Sequence, residues 1–326
     1  MHVDRRFIIN TAGATGFQPG ILEKAYRLVL LLKEINTHPV LHKDLLLKGG
    51  TAINFVYLPL PRLSIDLDFN FVGAVSKEEK DARREDIKRY LASIFSFAQY
   101  RVEEKSEYGL HQFFLRYKNS AGNADVIKLE VNYLMRISVL PGIEKKLELP
   151  FLKEADVSAR TLALEEIYGG KMKALISRGV ARDLFDAYSL LHNKVEFKRA
   201  LLKKIIIFFG CLDREDFRKF TPDSINNITA RDIKTDLLPL LRKGTAPSIS
   251  KMVKKIKPTL EGMLTLTVEE KEYVGKFFQG EYNPALLFTQ EDGVDLAALK
   301  KHPMAIWKQK HIKEWVKRLP NISLVL

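Results

Sequence analysis

The sequence predicts an α/β (α+β) chain, with strands and helices mixed in its N-terminal part and helices alone in its C-terminal part. Three observations predict it. Residues 62–71 alternate with a period of two: Leu63, Ile65, Leu67, Phe69 and Phe71 are apolar, and Ser64, Asp66, Asp68 and Asn70 are polar. That is the pattern of a half-buried strand. Residues 20–36 place Ile21, Ala25, Leu28 and Leu32 at helical spacing. Beyond Val195 the strand signals fade and the remainder reads as helical. At 326 residues the chain exceeds what one small core holds, so it divides into a first domain, residues 1–195, and a helical domain, residues 196–326.

Taken in order, the first helix is closed by Pro39. The run Leu45-Leu46-Leu47 is strand-like, stops at Gly49-Gly50, and restarts as a helix that Pro59 and Pro61 end. After the alternating strand comes a charged helix over residues 77–97, then strands near 113–117 and 126–133. In the second of these, Ile127, Leu129 and Val131 face one way and Lys128, Glu130 and Asn132 the other. Residues 162–191 read as two helices split near Arg178-Gly179, and a tail helix covers 307–319.

Composition narrows the classes. Hydrophobic residues make up 46% and charged residues 29%, ordinary for a folded chain. No run reaches the length of a membrane span, and Asp4, Arg5 and Arg6 precede only a short apolar triplet, so neither a transmembrane helix nor a signal peptide is expected. Cys211 is the single cysteine, which excludes an internal disulfide and a cysteine zinc site. The expected location is the cytoplasm. Lys and Arg number 53 against 40 Asp and Glu, a net +13 that favours polyanionic partners.

Asp66 and Asp68 are the sharpest chemical feature. Two carboxylates two apart on a strand leave the same face, and they repel unless solvated or bridged by a cation such as Mg²⁺ with phosphates. The bland reading is the wet face of an amphipathic strand. Gly49-Gly50-Thr51, between a strand and a helix start, lets backbone N–H groups approach an anion, with the Thr51 hydroxyl beside them. No Gly-Lys-Ser/Thr follows, so it is not a Walker loop, and a tight turn with Thr51 as helix cap is the alternative. Glu130 is a candidate third acid if its strand lies beside Asp66 and Asp68 in an antiparallel sheet; otherwise it pairs with Lys128 or Arg136. Gly169 and Gly170 inside a helical pattern suggest close packing or ligand approach. Asp183 and Asp186 share one helix face, with Arg182 placed to pair with Asp186.

Together, Lys48-Gly49-Gly50-Thr51-Ala52, Arg62-Leu63-Ser64-Ile65-Asp66-Leu67-Asp68-Phe69, Lys171-Met172-Lys173-Ala174-Leu175 and Arg182-Asp183-Leu184-Phe185-Asp186 resemble the AbiEii/AbiGii toxin family. That family includes the MenT toxins within the polymerase-beta-like nucleotidyltransferases, and the likeness spans residues 18–192. The resemblance implies a mixed-sheet core, an NTP gripped at Gly49, Gly50 and Thr51, and Mg²⁺ or Mn²⁺ on Asp66 and Asp68, with Glu130 as a further ligand. It implies Lys171 at the triphosphate and Asp186 as the acid that follows on the next helix. Thr51 stands where serine is frequent in the family and keeps the hydroxyl.

Three functions stay open. One is a toxin that transfers a nucleotide to RNA, such as a tRNA 3′ end, held in check by an antitoxin from a neighbouring gene. The others are nucleotidylation of a small molecule or protein, and an inactive nucleotide-binding module. Residues 198–257 hold fifteen Lys or Arg against six Asp or Glu, which favours RNA. Trp307 and Trp315 could stack on bases or be buried in the helical part.

Overall fold

The structure is a computed structural model that describes residues 3–73, 76–149, 151–152, 156–193 and 195–317, with side chains to residue 312. Asp4 caps α1 (Arg5–Thr15), and Gly16 closes it in the left-handed region. Pro19 opens α2 (Pro19–Thr37) and Pro39 opens α3 (Pro39–Asp44), both at positions whose N–H has no helical partner. β1 (Leu45–Lys48) then turns directly into α4 (Gly49–Ala52), which continues as a π-turn to Tyr57. β2 (Asp66–Phe71) follows, and a Ser76/Glu79 capping box starts α5 (Lys77–Phe97).

β3 (Arg101–Glu107), β4 (Leu110–Lys118) and β5 (Ala124–Asn132) form a meander; β6 (Ile143–Lys146) and β7 (Ser158–Thr161) complete a seven-stranded sheet in the order β3-β4-β5-β2-β1-β7-β6. It is mixed: β2 runs antiparallel to β1 and parallel to β5, and β1 runs parallel to β7. The sheet expected to set Glu130 antiparallel to the aspartate strand is thus parallel there. The reason is the crossover: α5 returns the chain, and two further antiparallel steps bring β5 up in the direction of β2.

The alternating run at 62–71 enters the ladder only at Asp66. Ahead of it the Leu63 N–H donates to the Leu240 carbonyl, and Arg62 is drawn into a buried ion pair, so residues 62–65 leave the sheet. α6 (Leu164–Arg178) ends on Gly179, whose φ of +58° makes the break before α7 (Ala181–His192). α8 (Arg199–Leu212), α9 (Ala230–Asp232), α10 (Ile249–Leu264), α11 (Val268–Gln279), α12 (Leu296–Leu299) and α13 (Pro303–Lys317) follow, and the described residues beyond 195 contain no strand.

One apolar interior joins the sheet (Leu47, Leu67, Leu129) to α7 (Leu184), α8 (Ile206) and α10 (Met252, Ile256). A second centres on Phe208, Phe277 and Phe288. Gly169 lets α6 and α8 meet: a Cβ there would lie 2.4 Å from Ile205 Cγ2, so close packing explains this glycine. No helix among the described residues is long and apolar enough to cross a membrane.

Candidate active site

A cavity of about 600 Å³ opens where β1, β2 and β5 face α6 and α7. Gly49, Gly50, Asp66, Asp68, Glu130 and Lys171 all line it, so the structure gathers six positions that stand far apart in the chain. Thr51 and Asp186, also expected at the site, are wholly buried behind its wall.

Register builds the floor. Lys48 on β1 sits opposite Asp68, Asp68 opposite Glu130, and Glu130 opposite Gln112, so four side chains form one row across four strands. Asp66 is opposite Lys128 in the next row. Lys128 Nζ lies 3.1 Å from Glu130, and Gln112 donates to the same carboxylate. Burial pushes Asp68 up to about 6, with Glu130 and Asp66 adding to the shift and Lys48 opposing it. Burial also pulls the Lys48 ammonium down, against Asp68 and Glu130. Although burial works the other way, hydrogen bonds from Gln112, Asp68 and Lys128 hold Glu130 below its ordinary value.

Gly49 has a φ of +71°, and a Cβ on it would stand 2.5 Å from Asp68 Oδ2. The glycine is needed twice, for its backbone angle and for the approach of the turn to the carboxylate. A Cβ on Gly50 would meet the Arg62 guanidinium at 2.7 Å. The Thr51 hydroxyl donates to the Asp66 carbonyl at 2.5 Å, tying the turn to β2.

The wall itself is held by a chain of ion pairs that pattern alone did not reveal: Arg62, Lys171, Arg178 and Asp183 line the cavity, and Asp186 lies buried behind them. Arg62 grips Asp186 bidentately at 2.7 Å on both oxygens, and Asn54 reaches the same carboxylate at 3.3 Å. Lys171 Nζ lies 3.1 Å from Asp186 and 2.6 Å from Asp183, whose other oxygen takes Arg178 at 2.7 Å. Despite burial, Arg62 and then Lys171 hold Asp186 down at about 2, and the two aspartates in turn hold Lys171 as an ammonium against its own burial. Arg182 does not pair with Asp186: it lies 3.6 Å from Asp66, because Arg62 already occupies the acid. Arg62 belongs to the quoted motif, but only contact across the fold gives it a partner 124 positions away. Lys173 also lines the cavity, tied to Asp213 at 2.5 Å, and so does not face away from Lys171 as a helix count suggests.

Among the described residues no group of three or more His, Cys, Asp or Glu is set to hold a metal ion. Mg²⁺ does not require one, since it binds through one or two carboxylates plus substrate phosphates and water. Asp66 and Asp68 fit that demand: both are hard oxygen donors on one face, and the burial and neighbouring carboxylates that raise Asp68 are what a cation would offset.

The model of the family described as "Nucleotidyl transferase AbiEii toxin, Type IV TA system" matches residues 30–259. The chain belongs to the AbiEii family. It is therefore a nucleotidyltransferase of the toxin–antitoxin class, and its family implies an NTP substrate and an antitoxin partner. The fold is similar to that of MenT4, a nucleotidyltransferase toxin of Mycobacterium tuberculosis H37Rv, with 15% identity, a TM-score of 0.62, and coverage of 84% of this chain and 94% of that one. The CdnC:HORMA-deltaN complex of E. coli MS115-1 aligns at 13% identity over 93% of this chain and 98% of that one, with a TM-score of only 0.26. No curated protein matches the sequence. The AbiEii match runs past residue 195, through α8 and into α10.

Proposed function

We propose that this AbiEii nucleotidyltransferase uses Mg²⁺ or Mn²⁺ to transfer a nucleotide from an NTP to an RNA acceptor such as a tRNA 3′ end. The observation that supports this best is the single cavity in which the Asp66/Asp68 pair, the Gly49-Gly50 turn and the Lys171 ammonium converge. An acceptor hydroxyl attacks the α-phosphorus, a phosphorus–oxygen bond forms, the bond to the β-phosphate breaks and pyrophosphate leaves.

Asp66 and Asp68 would hold the metal, which would supply Lewis-acid charge at the phosphates. The first-turn N–H groups at Gly49 and Gly50 meet the triphosphate, while Thr51, buried behind them, fixes the turn through its hydroxyl. Lys171 meets phosphate charge from α6. Asp186 is a positioning residue, since it reaches the site only through Lys171 and Arg62. Glu130 holds Lys128 and Gln112 beside the aspartates and is at most an outer ligand. We read residues 1–195 as the catalytic unit and 196–326 as a helical unit that shares its apolar interior, lines one end of its cavity and meets the acceptor. On α10, Met252 and Ile256 point inward while Lys254 and Lys255 stand exposed.

The test is incubation of the purified chain with each labelled NTP, Mg²⁺ and total tRNA, beside Asp66→Asn and Asp68→Asn. Label is expected on RNA with the wild type and on nothing with either variant, at unchanged folded circular dichroism. Label on a small molecule or on protein, with RNA unlabelled, would replace the RNA reading. Near wild-type transfer by either variant would remove the metal assignment.

A further inference from the structure

The cavity has a second character that the phosphate chemistry leaves unused. At its α8 end the lining turns apolar: Met135 from the segment after β5, Phe209 and Leu212 from α8, and Met304 from α13. Phe209 and Leu212 belong to the second apolar cluster, and Met135 and Met304 are partly buried against it, so the four form one wall rather than scattered contacts. Gly170 lies beside this wall, immediately before Lys171 in the chain: a Cβ on it would be 3.9 Å from Phe209 Cε2, in ordinary van der Waals contact. The Lys173–Asp213 ion pair lines the same cavity, and Lys308 donates to the Asp213 carbonyl, which joins α13 to the end of α8.

We propose that this wall is a nucleobase subsite, with Met135, Phe209 and Met304 covering the flat faces of a base and the Lys173–Asp213 pair meeting its polar edge. The proposal rests on the reading of the cavity as the NTP site. A base attached to a triphosphate held at Lys171 needs a flat, apolar, partly open surface within the same cavity, and soft thioether and phenyl groups are suited to such π-faces. Gly170 and Lys171 are consecutive, so the apolar and phosphate-binding ends share one turn of α6. Met304 lies beyond residues 30–259, so α13 adds to the family core a contact that bears on which base is accepted. The base belongs either to the incoming NTP or to the last nucleotide of the acceptor.

Three probes separate the possibilities: a non-hydrolysable NTP of each base, inorganic tripolyphosphate, and a single-stranded trinucleotide. Each is titrated with Mg²⁺ against the wild type, Met304→Ala and Met135→Ala. Two variants on separate segments are used so that one failing to fold leaves the other. If the base is that of the NTP, both variants weaken NTP binding about tenfold, narrow the differences among bases, and leave tripolyphosphate binding unchanged. If it is the acceptor's, trinucleotide binding falls while NTP and tripolyphosphate hold. Unchanged binding of all three overturns the subsite, as does an equal fall for NTP and tripolyphosphate, which would make the wall a structural support. A wild type that binds neither NTP nor tripolyphosphate would instead sink the reading of the cavity as the NTP site.

Discussion

At the scale of single residues, the buried ion chain sets the terms for Lys171. Its ammonium is held by Asp183 and Asp186, so its position is defined before any phosphate arrives. Lys171→Ala should weaken NTP binding by about tenfold or more, the weight of one charge-assisted hydrogen bond, and weaken RNA binding less. Equal losses in parallel titrations would mark Lys171 as structural. Lys173, two residues on, also lines the cavity and is no neutral control; exposed Lys33 on α2, away from the cavity, serves instead.

Glu166 offers a pH signature. Burial pushes it up to about 7, against hydrogen bonds from the backbone at Leu140 and Val139. A carboxyl raised in the fold binds its proton more tightly folded than unfolded. Its contribution is therefore complete below its ordinary value of 4.5 and is lost as pH rises through about 7. Glu166→Gln keeps an acceptor for the Leu140 N–H, which lies 3.0 Å from Oε2, and cannot ionise. Thermal melts across about pH 5 to 8 should show the wild type losing stability that the variant keeps, a gap of about 3 kcal/mol at the upper end. Parallel melting curves would contradict this.

At the scale of elements, the turn from β1 into α4 is the tightest requirement in the fold. Gly49→Ala meets both a positive φ and Asp68 Oδ2 at 2.5 Å. It should cost about 1–3 kcal/mol of stability and remove most transfer activity, since the carboxylate must move away from the turn. A variant with native melting temperature and turnover would show that the approach of Gly49 to Asp68 is not needed. Helices were legible in the sequence wherever their punctuation was strong: the expected helix over residues 77–97 coincides with α5, and Gly179 splits α6 from α7 as expected. β3 escaped notice because Arg101–Glu107 is almost wholly exposed at the sheet edge and has no apolar face to give a period. β6 and β7, four residues each, are too short to show one.

At the scale of the whole molecule, residues 196–326 hold 24 Lys or Arg against 16 Asp or Glu, so they carry +8 of the net +13, and Lys254 and Lys255 on α10 are exposed. If RNA binds there, replacing Lys254, Lys255 and Lys257 with Ser should flatten the slope of log affinity against log salt by roughly 2, at about 0.7 per phosphate contact for a single strand. NTP binding should hardly change. An unaltered slope would remove α10 from the RNA surface. Trp307 is exposed at 54% and stays open to bases, whereas the Trp315 side chain and residues 318–319 of the expected tail helix lie outside the described residues.

What the sequence determined alone was local: the period of β2, the glycines after β1, the same-face pair Asp66 and Asp68, and the helical punctuation at Pro39 and Gly179. Each follows from backbone geometry within a few residues, which composition and spacing encode directly. The tertiary structure decided the partners. Parallel pairing of β2 with β5 put Glu130 opposite Asp68, and the departure of residues 62–65 from the sheet delivered Arg62 to Asp186. That in turn left Arg182 to Asp66 and Lys171 to the cavity. Ion pairs among residues more than a hundred positions apart depend on which charge reaches a buried site first in space, and burial makes the choice binding, because an unpaired charge there would cost several kcal/mol. Helical periodicity places Arg182 and Asp186 on one face; only the packed fold shows that Asp186 is already taken.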